Sequence, residues 1–347
     1  MILFLVMAGA LWGIGAMMQA PRRVRWTMIG VLYLAVLLVQ FLLPADNPLR
    51  LATGGSRPEW VLVGIAAVVF VAYRRGLRWL RARAQANAPQ TAVQTGAFAP
   101  VELERYARHI VLREVGGPGQ KRLKDASVLV IGAGGLGSPA LLYLAAAGVG
   151  TIGVVDDDVV DLSNLQRQVI HTDARLGMPK VFSAEEAMRA QNPHVTVRPY
   201  QRRLDAAAAV ELFAEYDLVL DGTDNFDTRF LVNQAAVATK TPLIAAAITQ
   251  WEGQISLYDP ANGGPCYQCI FPEAPAPELA PSCAEAGVVG ALPGVVGAMM
   301  AMEAIKHITG AGQSLRGRML LYDALYAENR VVALKRRDDC PVCAKHT

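Results

Sequence analysis

Ser127-Val-Leu-Val-Ile-Gly-Ala-Gly-Gly-Leu-Gly137 decides the fold: an apolar, β-branched run stops on four closely spaced glycines and gives way to the small apolar stretch Ser138 to Ala147. That order predicts a strand, a tight turn and a helix. Gly132, Gly134, Gly135 and Gly137 allow a sharp turn and close backbone approach to an anion. The helix start behind them offers unpaired N–H groups and the positive end of a dipole to a phosphate. The loop by itself leaves NAD, FAD and a purely structural turn open.

Outward from the loop the same rhythm repeats. Thr151 to Val155 reads as a strand ending on Asp156, Val181 to Gln191 as helix, and His194 to Pro199 as extended chain. Ala206 to Ala214 then reads as helix, Leu218 to Leu220 as strand, Phe226 to Thr239 as helix and Pro242 to Ala247 as strand. Buried strands alternating with helices predict an α/β domain with a doubly wound, largely parallel Rossmann-like sheet, whose ligands sit at the carboxyl ends of the strands. Gly253 to Tyr258 and Met319 to Tyr322 are expected to add antiparallel strands, with Val295 to Thr309 as a long apolar helix between them.

The charged residues at those strand ends narrow the nucleotide. Asp156, 24 positions after Gly132, stands where a carboxylate meets a ribose hydroxyl, which suits NAD and ATP equally. Next come Asp161-Leu-Ser-Asn-Leu-Gln-Arg-Gln168, Gly177-Met-Pro-Lys180 and Asp221-Gly-Thr-Asp-Asn225. A nicotinamide slot has no use for Arg167, Lys180 and a strand-end Asp224 together. A triphosphate does: two cations neutralise the chain and Asp224 can hold a bridging Mg²⁺. No Gly-Lys-Ser/Thr follows the glycines, so this is not a P-loop. Residues 101–347 hold 23 bases and 28 acids, a net acidic balance that argues against nucleic acid as a partner. His109, His171 and His194 read as surface or core residues rather than catalytic ones.

All five cysteines lie beyond residue 265, and four form the pairs Cys266-Tyr-Gln-Cys269 and Cys340-Pro-Val-Cys343. Two-residue gaps suit a tetrathiolate Zn²⁺ site; disulfides or a redox role are the alternatives. With four protein ligands such a zinc would be structural and would tie residue 340 back to residue 266. Cys283 stands unpaired in the Pro-rich stretch Glu273 to Pro293.

Residues 1–100 are built differently, with ten Arg, no Lys and only Asp46 and Glu59 as acids. Three apolar runs, at about residues 1–18, 26–43 and 60–80, predict a membrane segment over residues 1–83. Met1 to Met18 lacks the basic start of a signal peptide. Arg22, Arg23 and Arg25 flank the first and second runs, and Arg74, Arg75, Arg78, Arg81 and Arg83 follow the third. The positive-inside rule then places the α/β domain in the cytoplasm, with the chain a multi-pass protein of the inner membrane. Residues 84–100, rich in Ala, Gln, Thr and Pro, read as a flexible linker to a domain over 101–347.

The glycine loop, the Asp156 region, Ser163-Asn-Leu-Gln-Arg167, Lys180, Asp221 to Asn225, Glu252-Gly-Gln254, both cysteine pairs, Cys283-Ala-Glu-Ala-Gly287 and Met302-Glu-Ala-Ile-Lys306 together resemble the ThiF/MoeB adenylyltransferases, relatives of ubiquitin-activating enzymes. The resemblance runs from about Arg105 to Cys343. It implies adenylylation, with MgATP, of the C-terminal glycine of a ubiquitin-like sulfur carrier ending in Gly-Gly, of the molybdopterin or thiamine type. It implies further that Gly132, Gly134, Gly135 and Gly137 cradle the nucleotide and that Asp156 binds its ribose. Asn164, Arg167 and Lys180 would hold the triphosphate and Asp224 the magnesium. Arg108 would reach into the neighbouring subunit of a homodimer, and Cys283 matches a cysteine that some members link covalently to the activated carrier. A sulfurtransferase domain fused to some relatives has no counterpart after Cys343, so a separate sulfur donor is expected. An NAD-dependent oxidoreductase and a noncatalytic membrane scaffold are the competing readings; within the family, a tRNA-modifying dehydratase or a peptide-adenylating enzyme shares the same nucleotide site.

Overall fold

A computed structural model of the chain describes residues 2–44, 46–54, 56–86, 97–275 and 286–344. The chain divides into two compact units, residues 1–93 and 94–347.

The first unit is helical: α1 (Ile2–Met17), α2 (Arg22–Leu42), the short α3 (Pro48–Thr53) and α4 (Arg57–Ala86). Pro48 at the first turn and the Asn47 side chain, which accepts from the Leu49 N–H, start α3. Phe4, Tyr33 and Trp60 lock α1, α2 and α4 together: the Phe4 and Trp60 rings meet edge-on at 5.2 Å, and the Tyr33 hydroxyl donates to the Trp60 carbonyl. Gln40 is fully buried; its amide donates to Thr53 Oγ1 at 2.8 Å and accepts from Arg50 Nε at 3.3 Å. The outer faces are apolar, with Val31, Leu34 and Leu38 of α2 and Leu62, Val68 and Val69 of α4 all more than half exposed.

Each of the three expected spans is a helix, but among the described residues two, Val24–Leu42 and Arg57–Leu77, are long and apolar enough to cross a membrane. The 16 residues of α1 rise about 24 Å, short of a hydrocarbon layer of ~30 Å. The α4 helix runs to Ala86, into the expected linker, and residues 87–96 of that linker lie outside the described residues.

The second unit opens with α5 (Pro100–Arg105), α6 (Ala107–Ile110) and α7 (Gly116–Asp125). The sheet and its helices follow as β1 (Ser127–Ile131), α8 (Gly137–Ala147), β2 (Thr151–Val155), α9 (Lys180–Gln191), β3 (Thr196–Tyr200), α10 (Ala206–Phe213), β4 (Leu218–Asp221), α11 (Phe226–Thr239) and β5 (Leu243–Ile248). Then come β6 (Glu252–Tyr258), α12 (Tyr267–Ile270), α13 (Ala291–Thr309), β7 (Arg318–Asp323) and β8 (Glu328–Ala333). Ala97 and Phe98 dock on α7, where Lys124 Nζ donates to the Ala97 carbonyl at 2.9 Å and sits 5.0 Å from the Phe98 ring centre.

The eight strands are ordered β3-β2-β1-β4-β5-β6-β7-β8. Those from β3 to β5 are parallel, as expected, and β6, β7 and β8 continue the sheet antiparallel. Successive residues of β1 serve opposite faces, which is why its run is apolar throughout. Val128 and Val130 join the core made with Leu141 and Leu144 of α8, Met188 of α9 and Met300 of α13. Leu129 and Ile131 join the core made with Leu212 and Phe213 of α10 and Val232 of α11. Burying each large aliphatic side chain contributes roughly 1.5–3 kcal/mol. The chain steps from β1 outward through β2 and β3, then returns to place β4 on the other side of β1. The resulting switch point lies between β1 and β4.

Candidate active site

At the carboxyl ends of β1, β2 and β4 the backbone makes a cradle. Gly132 leaves β1 with φ of +92°, a conformation open to glycine, and a Cβ there would lie 3.4 Å from the Gly222 carbonyl oxygen of the loop after β4. At Gly137 a Cβ would meet the Gly132 oxygen at 1.9 Å, so only glycine lets α8 start this close behind the turn. Gly134 and Gly135 lie half-exposed between them, Gly135 against Pro293 of α13.

The carboxylate of Asp156, at the end of β2, accepts from the Ala133 N–H of the loop at 2.7 Å and from the Asp158 N–H at 2.9 Å. Burial pushes its pKa up, against the pull of Lys180 and these two N–H donors. Asp161 begins the next segment by accepting from the Ser163 N–H at 2.8 Å, which caps the turn Leu162–Asn164. Just beyond that turn the half-buried Arg167 donates through Nη2 to Asn164 Oδ1 at 2.6 Å and through Nη1 to the Ser163 carbonyl at 3.2 Å. Lys180, the first residue of α9, is buried and pairs with Asp158 at 2.7 Å.

The loop after β4 carries Asp224, exposed to solvent. Its shape is set by Asp221, which accepts from the Thr223 N–H at 2.9 Å and hydroxyl at 2.7 Å, and by the buried Arg229, which donates to the Thr223 carbonyl and, at 2.8 Å, to that of Ala246. Asn225 caps α11 by accepting from the Thr228 N–H at 2.9 Å. The fold thus gathers Gly132 to Gly137, Asp156, Asn164, Arg167, Lys180 and Asp224 onto segments around one switch point. Arg108 lies apart on α6, exposed, and among the described residues no hydrogen bond or ion pair joins it to them. Cys283 falls outside the described residues.

Several supporting residues escape a reading of the sequence. His171 is buried beneath the loop, where Nε2–H donates to the Ala133 carbonyl at 2.9 Å and Nδ1 accepts from the Ser183 hydroxyl at 2.9 Å. Burial holds its pKa below the usual histidine value, so it stays neutral and pins the loop. His171 and Ala133 are 38 positions apart, so nothing local announces the contact. Arg229 does leave a trace, as a charge placed among apolar neighbours of a helix.

The four described cysteines form a second centre. All are buried free thiols, with Sγ···Sγ distances of 3.8, 3.6 and 3.4 Å between Cys266 and Cys269, Cys266 and Cys340, and Cys269 and Cys343. At these separations none of these pairs is a disulfide. A tetrahedral zinc with Zn–S near 2.3 Å needs sulfurs about 3.8 Å apart, so the donor set fits Zn²⁺. Asn233 Nδ2 at 3.8 Å from Cys266 Sγ and the Arg337 N–H at 3.5 Å from Cys269 Sγ supply the N–H donors that thiolates take up.

Residues 106–342 match the ThiF family. The sulfur carrier protein adenylyltransferase of Thermus thermophilus is 51% identical over 246 residues, covering 70% of this chain and 91% of that protein. The probable adenylyltransferase/sulfurtransferase MoeZ of Mycobacterium tuberculosis is 51% identical over 256 residues, 73% of this chain and 65% of its own length. The adenylyltransferase and sulfurtransferase MOCS3 of Bos taurus is 48% identical over 72% of this chain and 55% of its own length, so the match spans about half of that protein. Among solved structures, E. coli MccB with MccA-N7isoASN superposes with a TM-score of 0.62 at 23% identity, over 69% of this chain and 74% of that one. Selenomethionine PaaA gives 0.60 at 21% identity over 84% and 92%. At these identities the likeness is one of fold.

Proposed function

Because this chain belongs to the ThiF family, we propose that it adenylylates the C-terminal glycine of a ubiquitin-like sulfur carrier of the molybdopterin or thiamine type, in line with the sulfur carrier protein adenylyltransferase it is similar to. The observation that carries the reading is the convergence of a glycine cradle, two cations and an exposed carboxylate at the β1/β4 switch point. A carboxylate oxygen of the carrier attacks the α-phosphorus of ATP, the bond to the bridging oxygen breaks, and pyrophosphate leaves with the electron pair. The acyl group now carries AMP as leaving group for attack by a sulfur nucleophile, with AMP departing.

The chemistry asks for positioning of two anions and for neutral charge, not for a strong base. The N–H groups of Gly132, Gly134, Gly135 and Gly137 hold phosphate oxygens, and Asp156 accepts from a ribose hydroxyl. Asn164, Arg167 and Lys180 face the triphosphate. Asp224 holds Mg²⁺, which supplies charge neutralisation at the departing phosphates. By the family resemblance, the exposed Arg108 would enter the site of a second subunit in a homodimer. Cys266, Cys269, Cys340 and Cys343 hold a structural zinc.

The helical unit anchors the enzyme to the inner membrane. Two spans or three give the same topology, because both Arg clusters lie on the side opposite the loop 44–59, and the catalytic domain follows the second cluster into the cytoplasm. The anchored chain is expected in the membrane fraction and to need detergent for release.

The test is carrier-dependent exchange of labelled pyrophosphate into ATP, using purified carriers ending in Gly-Gly. Arg167→Ala and Asp224→Ala are each expected to lower exchange roughly 10²- to 10³-fold. Binding of NAD(H) that is indifferent to Arg167→Ala would instead support an oxidoreductase, and no exchange with any carrier a scaffold. Cys283→Ser is expected to leave exchange intact and to impair thiocarboxylation; unaltered thiocarboxylation removes that cysteine from the mechanism.

A further inference from the structure

The buried cation of the site is already engaged before any nucleotide arrives. Residues 158–160 and 177–180 run side by side: the Lys180 N–H donates to the Asp158 carbonyl at 2.9 Å, Val159 pairs with Pro179, and the Val160 N–H donates to the Met178 carbonyl at 2.8 Å. This short antiparallel ladder sets Asp158 opposite Lys180, and their side chains close a 2.7 Å ion pair. The two partners differ in setting, since the Lys180 side chain is 5% exposed and that of Asp158 67%. A buried ammonium without a counter-charge is costly. Asp158 removes that cost from the solvent side, where it is free to swing away.

Asp158 also joins the two halves of the cradle. Its N–H donates to Asp156, whose other oxygen accepts from Ala133 of the glycine loop. The carboxylates of Asp156, Asp157 and Asp158 lie within 4.8 Å of one another, and the cation paired with this cluster is the chain's own ammonium. An incoming polyphosphate therefore meets a lysine that another anion holds.

We propose that Asp158 is a positioning residue that keeps the Lys180 ammonium beside the glycine loop in the empty site and competes with the polyphosphate for it, so that pyrophosphate leaves as Lys180 returns to Asp158. This rests on the reading of the crevice as an ATP site. Two anions sharing one cation make binding weaker and release faster, and removing one of them reverses both effects.

The experiment uses the full chain in detergent, with calorimetric binding of MgATP and of pyrophosphate and steady-state pyrophosphate exchange. Asp158→Asn is expected to bind both ligands at least about threefold more tightly, the scale of one partly exposed ion pair, while kcat falls with KM because release slows. Asp158→Glu, which keeps the carboxylate, is expected to restore both parameters, and Asp158→Ser to behave like Asp158→Asn. In a Lys180→Ala background, Asp158→Asn is expected to change neither affinity. A purely structural role predicts weaker binding in step with a lower melting temperature. That result, or unchanged affinities in Asp158→Asn beside a wild type that binds MgATP, overturns the proposal. A wild type that binds no MgATP overturns the nucleotide-site reading itself, and this inference with it.

Discussion

The two units of this chain solve the burial problem in opposite directions. In the α/β unit the apolar residues of β1 are fully buried on both faces of a sheet and the site's charged groups gather at its rim. In the helical unit polar Gln40 is fully buried alongside Trp60, while Leu62, Val68 and Val69 face outward. The exposed apolar side chains of the helical unit are those that the proposed membrane contact would cover.

Zinc should separate the units most sharply. The protein is expected to contain one zinc per chain, and chelation or Cys266→Ser should remove on the order of 10 kcal/mol of folding free energy from the α/β unit. Metal analysis and thermal melting check this, with the signal of the helical unit expected to survive; a helical unit that melts together with the four-cysteine centre would erase the distinction. A smaller effect compares one substitution in both units. Val69→Arg, at a side chain 61% exposed on α4, is expected to cost about 2.5–3.5 kcal/mol of insertion. Val210→Arg, 41% exposed on α10, should stay within about 0.5 kcal/mol. Membrane partitioning reads the first and melting the second, and equal behaviour would mean that both faces meet water.

The smallest effect is a pH slope confined to the α/β unit. Burial lowers the folded pKa of His171, and likewise that of His307, below the ordinary histidine value of 6.5. The unfolded chain then takes up protons first as pH falls through 6.5 toward the folded values, so stability is full above 6.5 and is lost below it. His171→Asn should flatten the fall of melting temperature as pH drops below 6.5, and an unchanged slope would assign it to His307.

What could be read in advance follows the same physics. Runs such as Val128 to Ile131 announce themselves because burial on both faces leaves no polar position in the strand. The β8 strand went unread because all six of its residues are exposed, leaving no alternation in Glu328 to Ala333. The α7 helix hid behind Gly116-Gly-Pro-Gly119, which looks like a breaker although proline is tolerated in a first helical turn. For the same reason α13 starts at Ala291 with Pro293 in its first turn, ahead of the expected Val295. Around the switch point, Asp156 was legible as a candidate from its place after a strand, and Arg167, Lys180 and Asp224 from their charge, although the structure sets these three in loops and at the start of α9. His171 and Asp158 were not, since each acts through a contact that only the folded chain creates.

The cysteine pairs set an order of events in synthesis. Cys340 and Cys343 leave the ribosome 74 residues after the thiols they join, so the half-site at Cys266 and Cys269 waits with open valences while β7 and β8 are still being made. The parallel core around β1 is complete by then and domains assemble from the N-terminus during translation. Capture of the proposed zinc would accordingly be the last covalent-strength step of folding, and a chain released before Cys343 would leave the antiparallel extension unclasped.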